Sequence, residues 1–325
     1  MRVPSPEPTS TPRTGGLSFE QTVPCSLAHR RCLGEVFVAD TVASGPGEYL
    51  AAIQIPRAHS LWSDHLADYH DPLAAVEAIR QAMTVVGHRY QGLPLGTAFS
   101  LQRMTAEVED RSALRNTGTA PLEGIVRIRS ELGSGGGPGY LADHSFDGTL
   151  TVGVGTALTV RGSGVAFPPE TYAEFRAHQR RDRSGPVVDV SAAVPVPPEL
   201  VGRRDSRNVV VAEVGSVLEL VADRRHPSFF DHPYDHVPGP LMLEGFRQAA
   251  LVAAGAPFAL AAFEANFTGF AELDGSLTFT CQVEADPDFG ADAELTLSQF
   301  GIQIADCRIE LTTYPSEAHS SDAQN

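Results

Sequence analysis

Residues 229–255 read FFDHPYDHVPGPLMLEGFRQAALVAAG, and this stretch decides the fold. From Pro240 onward it is rich in Leu, Ala and Met, which favour helix, and it follows a Pro-Gly-Pro break of the kind that precedes a helix. The polar residues between Pro240 and Gly255 are Glu244, Arg247 and Gln248. A helix that is apolar nearly all round is a buried helix. The stretch therefore predicts a buried helix that carries a carboxylate and a guanidinium.

The same motif occurs earlier in the chain. Residues 64–82 read DHLADYHDPLAAVEAIRQA, and residues 231–249 read DHPYDHVPGPLMLEGFRQA. The two align without a gap at one constant separation, with seven identities in nineteen positions: Asp64/Asp231, His65/His232, Asp68/Asp235, Glu77/Glu244, Arg80/Arg247, Gln81/Gln248 and Ala82/Ala249. Such a repeat at a fixed spacing indicates a duplicated structural unit.

Strand-like runs flank both helices in the same order. EVFVAD and EYLAAIQI precede the first helix, NVVVAEV and SVLELVA precede the second, and three or four further runs follow each helix. An apolar helix beside a half-chain rich in strands is best buried by a sheet that wraps around it. We therefore predict an α+β fold of two tandem units, each an antiparallel sheet wrapped around a long central helix.

The repeats divide the chain into five segments. Residues 1–32 are rich in Pro, Ser and Thr and are expected to be disordered. The first unit is predicted over residues 33–165 and the second over residues 205–315. The connector at 166–204 contains one polar helix, ETYAEFRAHQRRDRS, and residues 316–325 are expected to form a tail.

The composition limits the class of partner. The formal net charge is −16, so the surface field repels nucleic acid and acidic lipid. No run approaches the roughly 20 apolar residues of a membrane span. The chain opens without an apolar signal segment, and its cysteines have no CxxC spacing. The expected setting is the cytoplasm, with neither a membrane nor a nucleic acid as partner.

All 24 basic residues are arginine, because the chain contains no lysine. Schiff-base chemistry on lysine and a P-loop are both excluded. Any phosphate or carboxylate must be held by arginine, by a helix N-terminus or by backbone N–H groups.

Glu244 and Arg247 are three residues apart on one helix, so they share a face. One interpretation is an intrahelical ion pair that neutralises itself. A functional pair is favoured, because burial makes an idle ion pair costly and because the pair recurs as Glu77 and Arg80. Gln248, one turn after Glu244, is expected to satisfy buried backbone groups.

His232 and its counterpart His65 lie shortly before the two helices. If the loop folds back over its own helix, His232 meets Glu244 as a general acid/base pair or as an orienting partner. The alternative is a histidine that caps backbone groups. His232 and His236 have a zinc-like spacing, but they lie on a proline-broken loop, so no metal site is predicted.

The second motif resembles the hot-dog dehydratases of fatty-acid synthesis, in which a His precedes a Pro-Gly and a Glu lies in an EAxxQ helix. The residues that match this pattern are His232, Pro238, Gly239, Glu244 and Gln248. The chain departs from it at Arg247, where dehydratases usually have a small apolar residue, and in a shorter loop before Pro238. The resemblance implies a double hot-dog fold.

The doubled DHxxD…ExxRQA pattern is more specific. Over nearly all of residues 33–315 the chain is similar to the A-factor synthase (AfsA) family of γ-butyrolactone biosynthesis. Members of that family are taken to move a β-ketoacyl group from acyl carrier protein to the hydroxyl of dihydroxyacetone phosphate, and the ester then cyclises to a butenolide phosphate. The resemblance implies an acyltransferase with these two partners and no cofactor, acting as a monomer or homodimer.

The resemblance also suggests roles for the candidate residues. The expected catalytic residues are two carboxylates and two histidines: Glu244, Glu77, His232 and His65. A carboxylate whose pKa is raised by burial would take the hydroxyl proton. The expected substrate-binding residues are two phosphate-holding arginines, a glycine at a helix N-terminus that faces the thioester oxyanion, and a glutamine: Arg247, Arg80, Gly239 and Gln248. The HVPG sequence before the second helix favours the second repeat as the active one.

Two alternatives stay open. A dehydratase or thioesterase would use the same fold without the second substrate. A non-catalytic butyrolactone-binding regulator would need no catalytic base, although no helix-turn-helix is evident and the charge is acidic.

Overall fold

The computed structural model describes residues 16–314, except 134–140, 182, 184–192 and 222. The first half contains two strands, a helix and four strands: β1 Val38–Gly45, β2 Glu48–Ile55, α1 Pro72–Tyr90, β3 Ala98–Val108, β4 Leu122–Leu132, β5 Ala142–Val152 and β6 Gly155–Phe167. The connector contains α2 (Pro169–Arg181). The second half repeats the first: β7 Val211–Val214, β8 Val217–Leu220, α3 Gly239–Ala254, β9 Ala259–Phe267, β10 Thr278–Asp286, β11 Gly290–Gln299 and β12 Ile302–Thr312.

The twelve strands form one antiparallel sheet in the order β1-β2-β4-β5-β6-β3-β9-β12-β11-β10-β8-β7. Each half has the same strand order, read outward from the centre. The halves join where β3 pairs with β9, with Met104 opposite Ala265. The prediction of a tandem fold with one sheet-wrapped helix in each unit is confirmed.

Both central helices lie against their own half of the sheet, α1 against β1, β2, β4, β5 and β6, and α3 against β7, β8, β10, β11 and β12. Asp71 caps α1 by accepting the N–H of Leu73 at 3.0 Å, and Pro72 follows at the first helical position. Gly255 ends α3 with φ 68°, a conformation that favours glycine. None of the helices in the described ranges is long and apolar enough to cross a membrane.

The expectation of disorder over residues 1–32 is wrong for the described part of that segment. Residues Cys25–Ala28 form a 3-10 helix, and Val23 and Ala28 are buried in the core. The segment is held against α1 by these buried apolar side chains and by Arg30, which is 6% exposed. Residues 1–15 and the expected tail at 316–325 lie outside the described residues.

The connector holds the predicted polar helix as α2, and it also holds a second copy of the N-terminal segment. A 3-10 helix at Pro198–Val201 corresponds to Cys25–Ala28, and one at Ser206–Asn208 corresponds to Leu33–Glu35, with the same separation in both cases. The duplicated unit therefore includes residues that we expected to belong to the disordered segment and to the connector.

Candidate active site

Glu77 lies in α1 with 4% of its surface exposed, and its carboxylate accepts hydrogen bonds from three side chains. Arg80 donates from Nε to Oε2 at 2.8 Å and from Nη2 to Oε1 at 2.9 Å. Arg30 also donates to Oε1, and Gln81 donates to the same oxygen at 2.9 Å. These bonds compensate the carboxylate for its loss of water.

Arg30 links this carboxylate to the second half of the chain. Its Nη1 donates to Asp231 Oδ1 at 3.5 Å, and Asp231 Oδ2 accepts the backbone N–H groups of Arg31 and Cys32 at 2.8 and 3.3 Å. His232 donates from Nδ1 to Asp231 Oδ1 at 2.6 Å. These residues form the Glu77 cluster: Glu77, Arg80, Gln81, Arg30, Asp231 and His232.

Glu244 in α3 has the same surroundings as Glu77 and is fully buried. Arg247 donates from Nε at 3.1 Å and from Nη2 at 2.7 Å. Arg203, which corresponds to Arg30, donates from Nε at 3.2 Å and from Nη2 at 2.9 Å. Gln248 donates to the same carboxylate.

Arg203 links Glu244 to the first half of the chain. Its Nη1 donates to the backbone oxygens of Leu61 and Asp64 at 2.7 and 2.9 Å. Asp71 Oδ2 lies 3.2 Å from Arg203 Nη2 and 3.6 Å from Arg247 Nη1. We call this group the Glu244 cluster: Glu244, Arg247, Gln248, Arg203, Asp64 and Asp71.

The Asp-His loop of each repeat therefore belongs with the helix of the other repeat. His232 contacts Asp231 in the Glu77 cluster. His65 lies near Asp71, Arg203 and Arg247, and burial together with the two arginine charges lowers the pKa of His65. The expected pairing of His232 with Glu244 is wrong, because the loop crosses the junction instead of folding back over its own helix.

Gln248 satisfies buried backbone groups, as predicted, and this leaves it away from the alternative position in substrate binding. Its Nε2 donates to the backbone oxygen of Asn208 at 2.8 Å, and its Oε1 accepts the N–H of Val210 at 2.8 Å. Gln81 does the same with Glu35 and Phe37. Both amides are fully buried and hold the segment before the first strand of each unit against the helix.

The two clusters differ by one carboxylate. Asp71, with 1% of its side chain exposed, faces both arginines of the Glu244 cluster. The corresponding residue in the second repeat is Pro238, which carries no charge. Among the described residues, the carboxylate within ion-pair distance of Arg80 is that of Glu77. Arg80 therefore keeps Nη1 available for a further anion, whereas Nη1 of Arg247 already faces Asp71.

The Glu77 cluster opens onto a cavity of about 500 Å³. Arg80 and His232 are both part of its wall, and so is the N-terminus of α3 at Pro238 and Gly239. Arg247 and Glu244 are not part of that wall. A smaller pocket of about 80 Å³ adjoins the cavity at Arg80 and extends between α1 and the sheet.

The charges in the Glu77 cluster are fixed by their neighbours. Burial raises the pKa of Glu77, but Arg30 and Arg80 outweigh it and hold that pKa well below its usual range. Our expectation of a base with a raised pKa is therefore wrong for Glu77. Burial also raises the pKa of Asp231, but hydrogen bonds from His232 and Arg31 and the charge of Arg30 bring it to about 2. Asp231 is consequently ionised near neutral pH and orients His232 through Nδ1.

The cavity has a further wall made by α2. Tyr172 donates to Asp235 Oδ1 at 2.7 Å, and His236 donates from Nδ1 to the same oxygen at 2.7 Å. Arg176, with 3% of its side chain exposed, bonds Asp235 at 3.0 Å and Glu272 at 2.8 Å. These bonds fasten α2 to the loop that carries His232.

Arg30 and Arg203 were missed by our sequence analysis, although a signal for them exists. Residues 23–31 read VPCSLAHRR and residues 196–204 read VPPELVGRR, and the two stretches are identical at Val, Pro, Leu and both Arg positions. The first copy falls in a segment whose composition suggested disorder. These copies also lie slightly farther apart in the chain than the two helix motifs, which hides them from a search at a single spacing.

Comparisons with known proteins agree with this architecture. The sequence profile of the A-factor biosynthesis hotdog domain (AfsA) matches residues 14–135 and 187–315. A 2-oxo-3-(phosphooxy)propyl 3-oxoalkanoate synthase from Streptomyces virginiae is 33% identical over 274 residues, which cover 83% of this chain and 89% of that protein. The protein of the same name from Streptomyces coelicolor is 30% identical over 283 residues, covering 84% and 87%.

Among solved structures, the 12:0-ACP thioesterase from Umbellularia californica aligns with 84% of this chain and 100% of its own, at 10% identity and a TM-score of 0.46. A structural similarity with so low a TM-score carries no argument about activity. The profile covers both halves, and the synthases span most of the chain. The chain belongs to the A-factor biosynthesis hotdog domain family.

Proposed function

We propose that this chain is an acyltransferase that joins a 3-oxoacyl thioester, carried by acyl carrier protein, to the hydroxyl of dihydroxyacetone phosphate. The product is the ester for which the related synthases are named. One observation carries the assignment to a site: a guanidinium with a free edge, Arg80, and an Asp-oriented histidine, His232, share the wall of one 500 Å³ cavity.

Arg80 is suited to hold the phosphate. Its Nε and Nη2 are held by Glu77, which fixes the guanidinium plane, and 24% of its side chain is exposed. Arginine binds phosphate through short charge-assisted hydrogen bonds. The chain has no lysine that could serve instead. The other arginine that the sequence suggests, Arg247, is less suited, because its charge is already met by Glu244 and Asp71.

His232 is suited to act on the leaving group. Asp231 accepts from Nδ1 and fixes the orientation of the ring, so that Nε2 is the nitrogen that exchanges a proton with the leaving group. The acceptor's hydroxyl oxygen forms a bond to the thioester carbonyl carbon and gives up its proton to a base at the cavity wall. The carbon–sulfur bond breaks with its electron pair on sulfur, and the thiolate takes the proton from His232. Gly239, at the N-terminus of α3 on the cavity wall, offers a backbone N–H to the oxyanion.

Glu77 has a positioning role in this proposal, because both of its oxygens accept from arginine. The remaining cavity surface suits the acyl chain, since it includes apolar side chains from both halves, among them Phe99, Leu101, Phe167 and Met242. The site draws residues from both repeats, so one copy of the chain is sufficient to build it.

The test is a reaction of purified protein with a 3-oxoacyl thioester on acyl carrier protein and dihydroxyacetone phosphate, analysed by mass spectrometry. We expect the phosphorylated 3-oxoacyl ester and free carrier thiol, and we expect His232→Gln to lose most of the turnover, roughly 100-fold or more. The matched control is His65→Gln at the corresponding position, which should keep it. Release of the free 3-oxo acid at the same rate with and without the acceptor would instead identify a thioesterase and overturn the proposal.

A further inference from the structure

His29 and His88 form a hydrogen-bonded pair beside the proposed site. His29 is part of the wall of the 500 Å³ cavity together with Arg80 and His232. Its Nε2 lies 2.7 Å from Nε2 of His88, and its ring lies 5.4 Å from that of Phe99. The mechanism proposed above assigns no role to either histidine.

The pair occurs in the first half of the chain, whose helix α1 contributes Arg80 to the cavity wall. When the Arg30 and Arg203 stretches are aligned, the residue that corresponds to His29 is Gly202. When the two helix motifs are aligned, the residue that corresponds to His88 is Gly255. His29 has φ 52°, in the left-handed region, where Gly202 has φ 69°. A residue with a β-carbon is strained in that region, whereas glycine is not. The first half thus retains a histidine at a position where glycine is the less strained residue.

The hydrogen bonds determine which nitrogen of His29 is free. Nδ1 of His88 lies 2.9 Å from the backbone oxygen of Leu93, which can only accept, so that nitrogen carries a hydrogen. In the neutral tautomer Nε2 of His88 is then an acceptor, and Nε2–H of His29 donates to it. The lone pair of His29 Nδ1 has no partner among the described residues. Burial, together with His88 and Arg80, lowers the pKa of His29 to about 3, so the ring is neutral near pH 7.

We propose that His29 is the general base of the acyl transfer and takes the hydroxyl proton of the phosphorylated acceptor on Nδ1. This assignment rests on the function proposed above. As the hydroxyl oxygen bonds to the thioester carbon, its proton becomes strongly acidic and passes to His29, while His232 protonates the departing sulfur. The two histidines then return to their starting states by exchange with solvent at the cavity mouth. Glu77 is not available for this step, because arginines occupy both of its oxygens.

The decisive variants are His29→Gly and His29→Asn. Glycine removes the base, relieves the backbone strain and leaves space for a small molecule. Asparagine tolerates the left-handed conformation and keeps a hydrogen-bond acceptor, but it is not a base. We expect kcat to fall roughly 100-fold or more in both variants, with the KM for each substrate within about threefold, because the phosphate and acyl contacts remain. Added imidazole should restore turnover in His29→Gly and not in His29→Asn.

Other results would overturn the assignment. Near wild-type turnover in His29→Asn would show a hydrogen-bonding role without proton transfer. A lowered melting temperature with equal losses in kcat and in affinity would show a structural role, and so would failure of imidazole to restore His29→Gly. A wild-type protein that forms no ester overturns the proposed function and this inference together. Active wild type with an unaffected His29→Gly overturns the inference alone.

Discussion

Arg80 and Arg247 occupy corresponding positions in two nearly identical clusters. Their surroundings differ at one neighbouring residue. Asp71 of the first repeat faces Arg247 across the junction, whereas the corresponding residue of the second repeat, near Arg80, is Pro238. Arg247 therefore has two carboxylates within ion-pair distance, those of Glu244 and Asp71, whereas among the described residues Arg80 has one, that of Glu77, which it shares with Arg30. A guanidinium that is bonded to a carboxylate through Nε and Nη2 only keeps Nη1 for a phosphate.

Arg80→Ala and Arg247→Ala should consequently have different effects. We expect Arg80→Ala to raise the KM for dihydroxyacetone phosphate roughly 10- to 100-fold, the range for loss of hydrogen bonds to a charged group, and to change turnover of unphosphorylated dihydroxyacetone much less. Arg247→Ala should leave that KM near wild type and lower the melting temperature, because it leaves Asp71 and Glu244 with one cation fewer. Steady-state kinetics with both acceptors, beside thermal melts, measures this difference.

The opposite pattern, with the phosphate effect in Arg247→Ala, would move the anchor to the second cluster and restore the assignment that the sequence alone suggested. Equal losses with both acceptors in Arg80→Ala would make Arg80 a structural residue.

Sequence reasoning identified the kinds of residue in the site but not their partners. Glu77, Arg80 and His232 were recognised because they recur at a fixed spacing. Their grouping depends on bonds such as that of Arg30 to Asp231, which lie in different halves of the chain. Periodicity and local propensity describe short stretches of chain, and they carry no information on which of two symmetric partners a loop will reach.

At the scale of elements, the two central helices were predictable because their sequences are apolar on nearly every face. The strands were also predictable from their apolar patterns, since a largely continuous apolar run coincides with β2 and an alternating one with β4. The role of α2 was not predictable. Its sequence is polar, and the contact that matters is a buried arginine, Arg176, which reads in the sequence as one more surface charge.

Arg176→Gln should loosen α2 from the loop that carries His232. Arg176 bonds the carboxylates of Asp235 and Glu272 and the backbone oxygen of Asp235 at 3.0 Å. Removing one partner of a buried pair costs roughly 3 kcal/mol, so we expect faster proteolytic cleavage near α2 and a lower kcat/KM. The matched control is Arg181→Gln on the exposed side of the same helix, which should change neither. Unchanged cleavage and turnover in Arg176→Gln would show that α2 does not support the site.

At the scale of the molecule, the tandem arrangement explains how one fold holds two unequal clusters. The β3–β9 junction places the Asp-His loop of each half against the helix of the other, so two composite clusters exist in every chain. In a dimer of identical units, a substitution would change both clusters together. Within a single chain they diverge independently, and here Asp71 faces the arginines of one cluster, whereas the other cluster opens onto the cavity.

The same burial that shapes the sites makes the whole molecule sensitive to acid through its histidines. His226 shows the cause. Its Nδ1 accepts the N–H groups of Ser228 and Phe229 at 3.3 and 3.2 Å, and its Nε2 donates to the side chain of Asn208 at 3.0 Å. A proton on Nδ1 would face two donors, and burial already lowers the pKa of this histidine from 6.5 to about 4. Burial lowers the pKa of three others to between about 3 and about 4: His29, His70 and His144.

These histidines predict that stability falls well before the carboxylates titrate. Their pKa is lower in the folded chain than in the unfolded one, so below pH 6.5 the unfolded state binds more protons and acid favours unfolding. The loss begins near pH 6.5 and continues to about pH 4, where Asp231, with a folded pKa of about 2 against 3.8 unfolded, begins to add to it. Each histidine should contribute about 1 kcal/mol to the loss by pH 5.5.

Urea denaturation at pH 7.5, 6.5 and 5.5 measures this loss of stability. His226→Asn, which keeps an acceptor for the two N–H groups, should be less stable at pH 7.5 and show a shallower fall. A free energy of unfolding that stays constant from pH 7.5 to 5.5 would mean that these rings are not held neutral by the fold.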